Sequence, residues 1–260
     1  MGQWNWAQPA PSPAGTTALA PLPKDRDMVF YRIDDGALGW LIGHVAIRHW
    51  ATFGPRYPNP AILLSSGQYL DTRGLNALTR AQFQAAARAM QAQLTDGLIT
   101  QAVHRMPPAA FALEGPYLIQ ALRARREALP ALANHMYALL ARQPKVGGSA
   151  QPERFEVHRY TDSTVVAVYP IQASAADNRQ ALYRRTFFPA ETREIQLDGL
   201  GGNDVFVLKE HGSTPVVRPR LRIYGGPEID ELQRTKSTRG VKYSNGNAPA
   251  RRAYDRPPEE

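Results

Sequence analysis

The residues of this chain best suited to chemistry are acids placed beside turns. Asp25 and Asp27 lie between a proline turn and an apolar run, in Leu22-Pro23-Lys24-Asp25-Arg26-Asp27-Met28-Val29-Phe30. Paired carboxylates at a strand end can hold a divalent cation, and they can equally cap the backbone of a solvated turn. Asp204 and Asp230 each close a glycine turn, Gly199-Leu200-Gly201-Gly202-Asn203-Asp204 and Gly225-Gly226-Pro227-Glu228-Ile229-Asp230. A strand-like run with charge on alternate positions precedes each turn, so one device occurs twice. The histidines carry less. His44 and His49 are five apart and miss the i, i+4 spacing of a helical metal pair. His158 and His211 have no nucleophile or orienting acid at a spacing that makes a hydrolase.

The two turns resemble the calcium-binding nonapeptide G-G-x-G-x-D-x-U-x of secreted bacterial toxins. Gly199, Gly202, Asp204 and Phe206 fit the first copy and Leu200 does not; Gly225, Gly226, Asp230 and Leu232 fit the second and Glu228 does not. The two aspartates are 26 residues apart, whereas the toxin turns stack at steps of about nine. Asp204 and Asp230 are therefore candidate calcium ligands, set against a reading in which glycine supplies positive φ while Asn203 and the aspartates satisfy turn amides. The second reading is the preferred one.

The elements that must position these acids follow from composition and period. With 260 residues, 43% of them hydrophobic, the chain can bury one large core or two small ones. It has no cysteine, which excludes disulfides, thiolate metal sites and a cysteine nucleophile. The net charge of +8 rests on arginine, since only five of the 31 basic residues are lysine. These charges are scattered and fit no nucleic-acid module, so they read as solvated faces. No apolar run reaches the ~20 residues of a membrane helix. The start lacks a signal peptide, and Trp4 and Trp6 resemble a buried strand, as expected of a chain that begins inside a longer protein.

Apolar spacing predicts helices over 76–105, with Thr79 as N-cap and Phe83, Ala87, Met90, Leu94 and Leu98 as one stripe. A break at Thr95-Asp96-Gly97 starts a second short helix through Val103. A longer helix is expected over 115–142, kinked or broken near Arg126 because Pro130 deletes a hydrogen bond. Residues 145–149 read as a linker. Beyond it the period changes to two, predicting strands over 155–160, 164–169, 181–187, 193–197, 204–208 and 216–224. The fold class is α+β: a mostly helical part over 1–145, a small all-β sandwich or roll over 150–232, and a mobile polar tail over 233–260. Tyr169, Tyr183, Phe187 and Phe188 could give the β part an aromatic surface for a protein or carbohydrate partner.

Two stretches resemble a group of large bacterial envelope proteins. In these a spore-coat-protein-H-like atypical kinase region precedes a β domain and an outer-membrane barrel. One stretch is Gln3-Trp4-Asn5-Trp6 with Pro23-Lys24-Asp25-Arg26-Asp27 and Phe30; the other is Arg185-Thr186-Phe187, Glu191-Thr192-Arg193-Glu194-Ile195, the turn 199–204 and Gly225-Gly226. The resemblance implies magnesium and ATP as cofactors, with Gln3 and Asp25 as metal ligands and Asp27 as a neighbouring participant. It implies a cell-envelope location, with the upstream lobe and downstream barrel of the same polypeptide as partners. The family's catalytic aspartate would fall before Met1, so the chain holds one edge of a kinase-like site and would be inactive alone.

Overall fold

A computed structural model gives the fold and describes residues 4–7, 20–23, 29–32, 52–57, 59–65, 67–171, 180–212, 219–234 and 239–246. Strands β1 (Trp4–Ala7) and β2 (Ala20–Pro23) form an antiparallel ribbon with Trp4 opposite Pro23. The helical layer contains α1 (Pro60–Ser65), α2 (Gln68–Gly74), α3 (Arg80–Gln93), α4 (Asp96–Val103) and α5 (Pro108–Arg142). Thr79 caps α3 as expected, in a capping box with Gln82. Thr95 caps α4 by accepting from the Leu98 amide at 3.1 Å. The apolar stripe is narrower than its spacing suggests, because Ala87 is buried while Met90 and Leu98 face out. Phe53, Val103, Leu118 and Ala121 form the core of this layer.

Helix α5 is not broken at Pro130. It starts earlier than expected and continues to Arg142. The proline leaves the Arg126 carbonyl without its usual helical donor. Gln91 of α3 supplies one, its Nε2 donating to Arg126 O at 3.3 Å, while Gln84 Nε2 donates to Pro130 O at 2.8 Å. A neighbouring helix thus satisfies the group that the sequence marked as the point of failure.

The β part is a roll of two sheets. Its strands are β3 (Lys145–Gly147), β4 (Glu153–Arg159), β5 (Thr164–Pro170), β6 (Tyr183–Phe187), β7 (Glu194–Asp198), β8 (Val205–Glu210), β9 (Arg220–Tyr224), β10 (Glu231–Arg234) and β11 (Val241–Ser244). One sheet has the order β10-β8-β4-β5-β6, parallel from β10 to β4 and antiparallel through β5 and β6; the other, β11-β9-β7-β3, is wholly parallel. From β7 onward successive strands alternate between the sheets, so each pass of the chain lays one coil on the last. Two expectations change. The supposed linker supplies β3, and the supposed tail supplies the end of β10 and all of β11, because their backbones complete the ladders of β7, β8 and β9.

Alternation sends one side of every strand inward. Val146, Phe155, Val157, Val166, Val168, Phe187, Ile195, Leu197, Phe206, Leu208, Leu221 and Ile223 make a continuous core between the sheets. Each such side chain contributes about 1.5–3 kcal/mol when fully buried. Arg159 shares this inward side of β4 and is 0% exposed. Its guanidinium donates to Glu210 Oε1 at 2.8 Å and to the carbonyls of Arg239 and Pro219.

The helices meet the roll through polar contacts. Tyr137 OH of α5 donates to Glu191 at 2.5 Å and accepts from Arg185 Nη2 at 3.2 Å, and Arg80 Nε donates to Glu191 at 3.1 Å. The Asn76 carbonyl accepts from Tyr183 OH and from Arg185. Burial works against the Glu191 charge, yet Tyr137, Arg80 and Arg185 together hold its carboxyl below the usual value. Replacing Tyr137 by Phe removes one donor and one acceptor from this junction. The expected cost is about 1–3 kcal/mol, read as a lower urea midpoint at unchanged m; an unchanged midpoint would show that the junction holds without the hydroxyl.

Candidate functional site: three stacked turns

The register of the sheets aligns three turns. Gly147, Asp198 and Tyr224 are neighbours across β3, β7 and β9, and Arg154, Val205 and Glu231 are neighbours across β4, β8 and β10. The connections between those rows are residues 148–153, 199–204 and 225–230, equal in length. Each opens on glycine and ends on an acid: Gly148 to Glu153, Gly199 to Asp204, Gly225 to Asp230. The repeat seen twice in the sequence therefore occurs three times. In its first copy, Gly148-Ser149-Ala150-Gln151-Pro152-Glu153, Glu replaces Asp and no middle position matches the others. A glycine five residues before an acid, with a period-two strand following, is the available signal.

The acids stack as a ladder. Asp204 Oδ1 accepts from the Glu153 amide at 2.8 Å, and Asp230 Oδ1 accepts from the Asp204 amide at 2.9 Å. Glu153 Oε2 closes its own turn by accepting from the Ser149 amide at 3.0 Å. The 26-residue separation of Asp204 and Asp230 is thus the length of one full coil and does not prevent stacking. Asn203 joins in, its side chain accepting from the Ile229 amide at 3.3 Å. Leu200 is held at φ 69°, a left-handed conformation that costs a leucine roughly 1–2 kcal/mol.

The opening glycines are required by close approach. A Cβ on Gly199 would lie 2.1 Å from the Gly225 carbonyl oxygen and 2.2 Å from Asp204 Oδ2. One on Gly225 would lie 2.1 Å from Asp230 Oδ2. The carboxyls therefore pack directly on glycine Cα atoms. Asp204 is 1% exposed, and its Oδ2, like that of Asp230, has no hydrogen-bond partner. Burial pushes the Asp204 carboxyl up to about 7; the Glu153 amide opposes this, and the charges of Glu153, Asp230 and Glu228 add to it.

As a cation site the column is constrained. Asp204 and Asp230 do come together, but each spends Oδ1 on a backbone amide. The point faced by both Asp204 Oδ2 and the Gly225 carbonyl is only a carbon–carbon bond from Gly199 Cα, which leaves no room for an ion at that point. Among the described residues no three His, Cys, Asp or Glu side chains are grouped to hold a metal. Gln3, Asp25 and Asp27 lie outside the described residues, as do His44 and His49.

The remaining candidates separate. Phe187 is core at 1% exposure, while Phe188 is 49% exposed and Tyr183 is tied to Asn76, so the four aromatics do not form one surface. His158 Nδ1 and His211 Nε2 are 3.0 Å apart with ring planes 8° from parallel, and Tyr160 stacks on His211 at 4.5 Å. Glu156 Oε2 is 3.8 Å from His158 Nε2. This acid stands two residues before His158 on β4, where strand alternation puts both on the same side. Burial, followed by His211 and Lys209, lowers the affinity of His158 for a second proton. Among the described residues the hydrogen bond recorded for these two rings is the one between them.

No helix of the described residues is long and apolar enough to cross a membrane. No protein-family model, no curated protein and no solved structure matches this chain.

Proposed function

We propose that the chain is a non-catalytic module of a bacterial cell-envelope protein, in which a helical layer holds a β-roll that binds a protein partner at its last coil. The observation that carries this reading is the state of that coil. Among the described residues β10 pairs on one side only, with β8, and β11 on one side only, with β9. Leu232, Val241 and Tyr243 pack partly buried against the end of the core. Such an edge accepts a further strand through main-chain hydrogen bonds, as repeat folds do at their ends. The envelope location rests on the resemblance of the 185–204 stretch and Gly225-Gly226.

A photo-crosslinking residue at Gln233, exposed on the edge of β10, tests the binding surface. A discrete adduct that is not formed from the same residue placed at Arg88 on α3 is the expected result. No adduct from Gln233 in an envelope preparation would sink the reading.

The second reading is one edge of an atypical kinase site using magnesium and ATP, with Gln3 and Asp25 as ligands and Asp27 beside them. The pairing of Trp4, which follows Gln3, with Pro23, two residues before Asp25, supports it. Catalysis would then need the upstream lobe. Calorimetry with magnesium-ATP is expected to give no saturable heat with this chain and binding with a form extended upstream; binding by neither would discard the nucleotide.

A further inference from the structure

Helices and roll leave a cavity beside their polar junction, and its lining is rich in cations. The space is about 420 Å³, within the roughly 300–1,000 Å³ of small-molecule sites. Arg80, the first residue of α3, and Arg142, the last of α5, line it from the helical layer, while Glu191 and Arg193 line it from the connection between β6 and β7. Ala138 and Ala190 give it an apolar flank. The charges divide into a neutral pair and a surplus. Glu191 has both oxygens engaged, Oε1 by Arg80 Nε at 3.1 Å and Oε2 by the Tyr137 hydroxyl at 2.5 Å. Arg80 Nη1 donates to Asn134, and the guanidinium lies 4.7 Å from the centre of the Tyr137 ring, which leaves Nη2 uncommitted among the described residues. Arg142 and Arg193 have neither an ion pair nor a side-chain hydrogen bond among the described residues. A helix C-terminus ordinarily repels anions through its unpaired carbonyls. Here the Ala141 carbonyl accepts from Thr192 Oγ1 at 2.9 Å and the Arg142 carbonyl from the Arg193 amide at 3.0 Å. The second of these bonds also ties the two arginines together at the backbone, so both guanidinium groups project from one rim of the cavity.

We propose that this cavity binds a small organic phosphate monoester, its phosphate held by Arg142, Arg193 and Nη2 of Arg80 and its carbon body laid against Ala138 and Ala190. Such a phosphate carries about −1.5 to −2 charges at pH 7. That matches the two arginines left once Arg80 and Glu191 cancel. Guanidinium groups address phosphate oxygens bidentately, and a monoester presents three oxygens where a carboxylate presents two and a single charge. Because the lining comes from both layers, the bound phosphate bridges helices and roll and stabilises the folded chain.

Calorimetry on the whole chain with phenyl phosphate, inorganic phosphate and benzoate tests the site. Phenyl phosphate is expected to bind saturably and to raise Tm, with inorganic phosphate weaker for want of a carbon body and benzoate weaker for want of the second charge. Arg142→Gln and Arg193→Gln remove no side-chain hydrogen bond or ion pair of the described residues. Each should leave the ligand-free Tm nearly unchanged and weaken phenyl phosphate about tenfold to a hundredfold. Arg88→Gln, on α3 outside the lining, should bind as the wild type does. Absence of saturable phenyl phosphate binding overturns the proposal, and so does inorganic phosphate or benzoate binding as tightly. Wild-type affinity in both arginine variants overturns it too, as does an equal loss in Arg88→Gln, which would mean attraction to the net charge of the chain. The three-ligand comparison needs only the wild type, so it decides the matter even where a variant fails to fold.

Discussion

Gly199→Ala is expected to cost about 3 kcal/mol or more of folding stability, although it adds a single methyl group to a surface turn. The new Cβ would sit 2.1 Å from the Gly225 carbonyl oxygen and 2.2 Å from Asp204 Oδ2. The carbonyl belongs to the next coil, whose Gly225 amide is bonded to Ser244 O at 3.0 Å, and the Gly199 amide is itself bonded to Tyr224 O at 2.8 Å. Neither strand can retreat without breaking its own ladder. Gly225→Ala strikes a side chain, Asp230, and should cost less. Gly74→Ala and Gly246→Ala meet nothing within 4 Å and serve as controls. Urea midpoints of the four variants test the order; a Gly199→Ala midpoint equal to the controls would mean that the coils are not stacked this closely.

Arg159→Met is expected to cost about 3–5 kcal/mol. Among the described residues Arg159 is the largest fully buried side chain, placed on the same inward side as Phe155 and Val157. Burial lowers its proton affinity and Glu210, at 2.8 Å, restores part of it. Removing the guanidinium leaves Glu210, whose side chain is 8% exposed, as an uncompensated charge. Much of the loss should therefore return in Arg159→Met combined with Glu210→Leu, since the expense lies in the orphaned partner more than in the pair. A double variant no better than the single one would contradict this account.

Much of the local structure was legible in the chain. Thr79 as N-cap announced the start of α3, and the change of period after residue 145 announced the roll. The hairpin of β4 and β5 followed from two apolar runs around Thr161-Asp162-Ser163. Pro130 does remove a hydrogen bond, but the replacement donor, Gln91, is 35 residues from the Arg126 carbonyl it serves and lies on another helix. Residues 145–147 and 241–244 are too short or too polar to show a strand period, and they become strands because β7 and β9 offer them paired edges.

The candidate site divides in the same way. The sequence alone determined the α+β class, the glycine-to-aspartate turns and the identities of Asp204 and Asp230, because turns and periods are properties of adjacent residues. Only the tertiary structure decided that these acids share one column with Glu153, that Gly199 must lack a side chain, and that Asp204 Oδ2 is buried without a partner. Those facts depend on amide-to-carboxyl contacts spanning 51 and 26 residues. The register of two sheets sets such contacts, and no local pattern encodes that register.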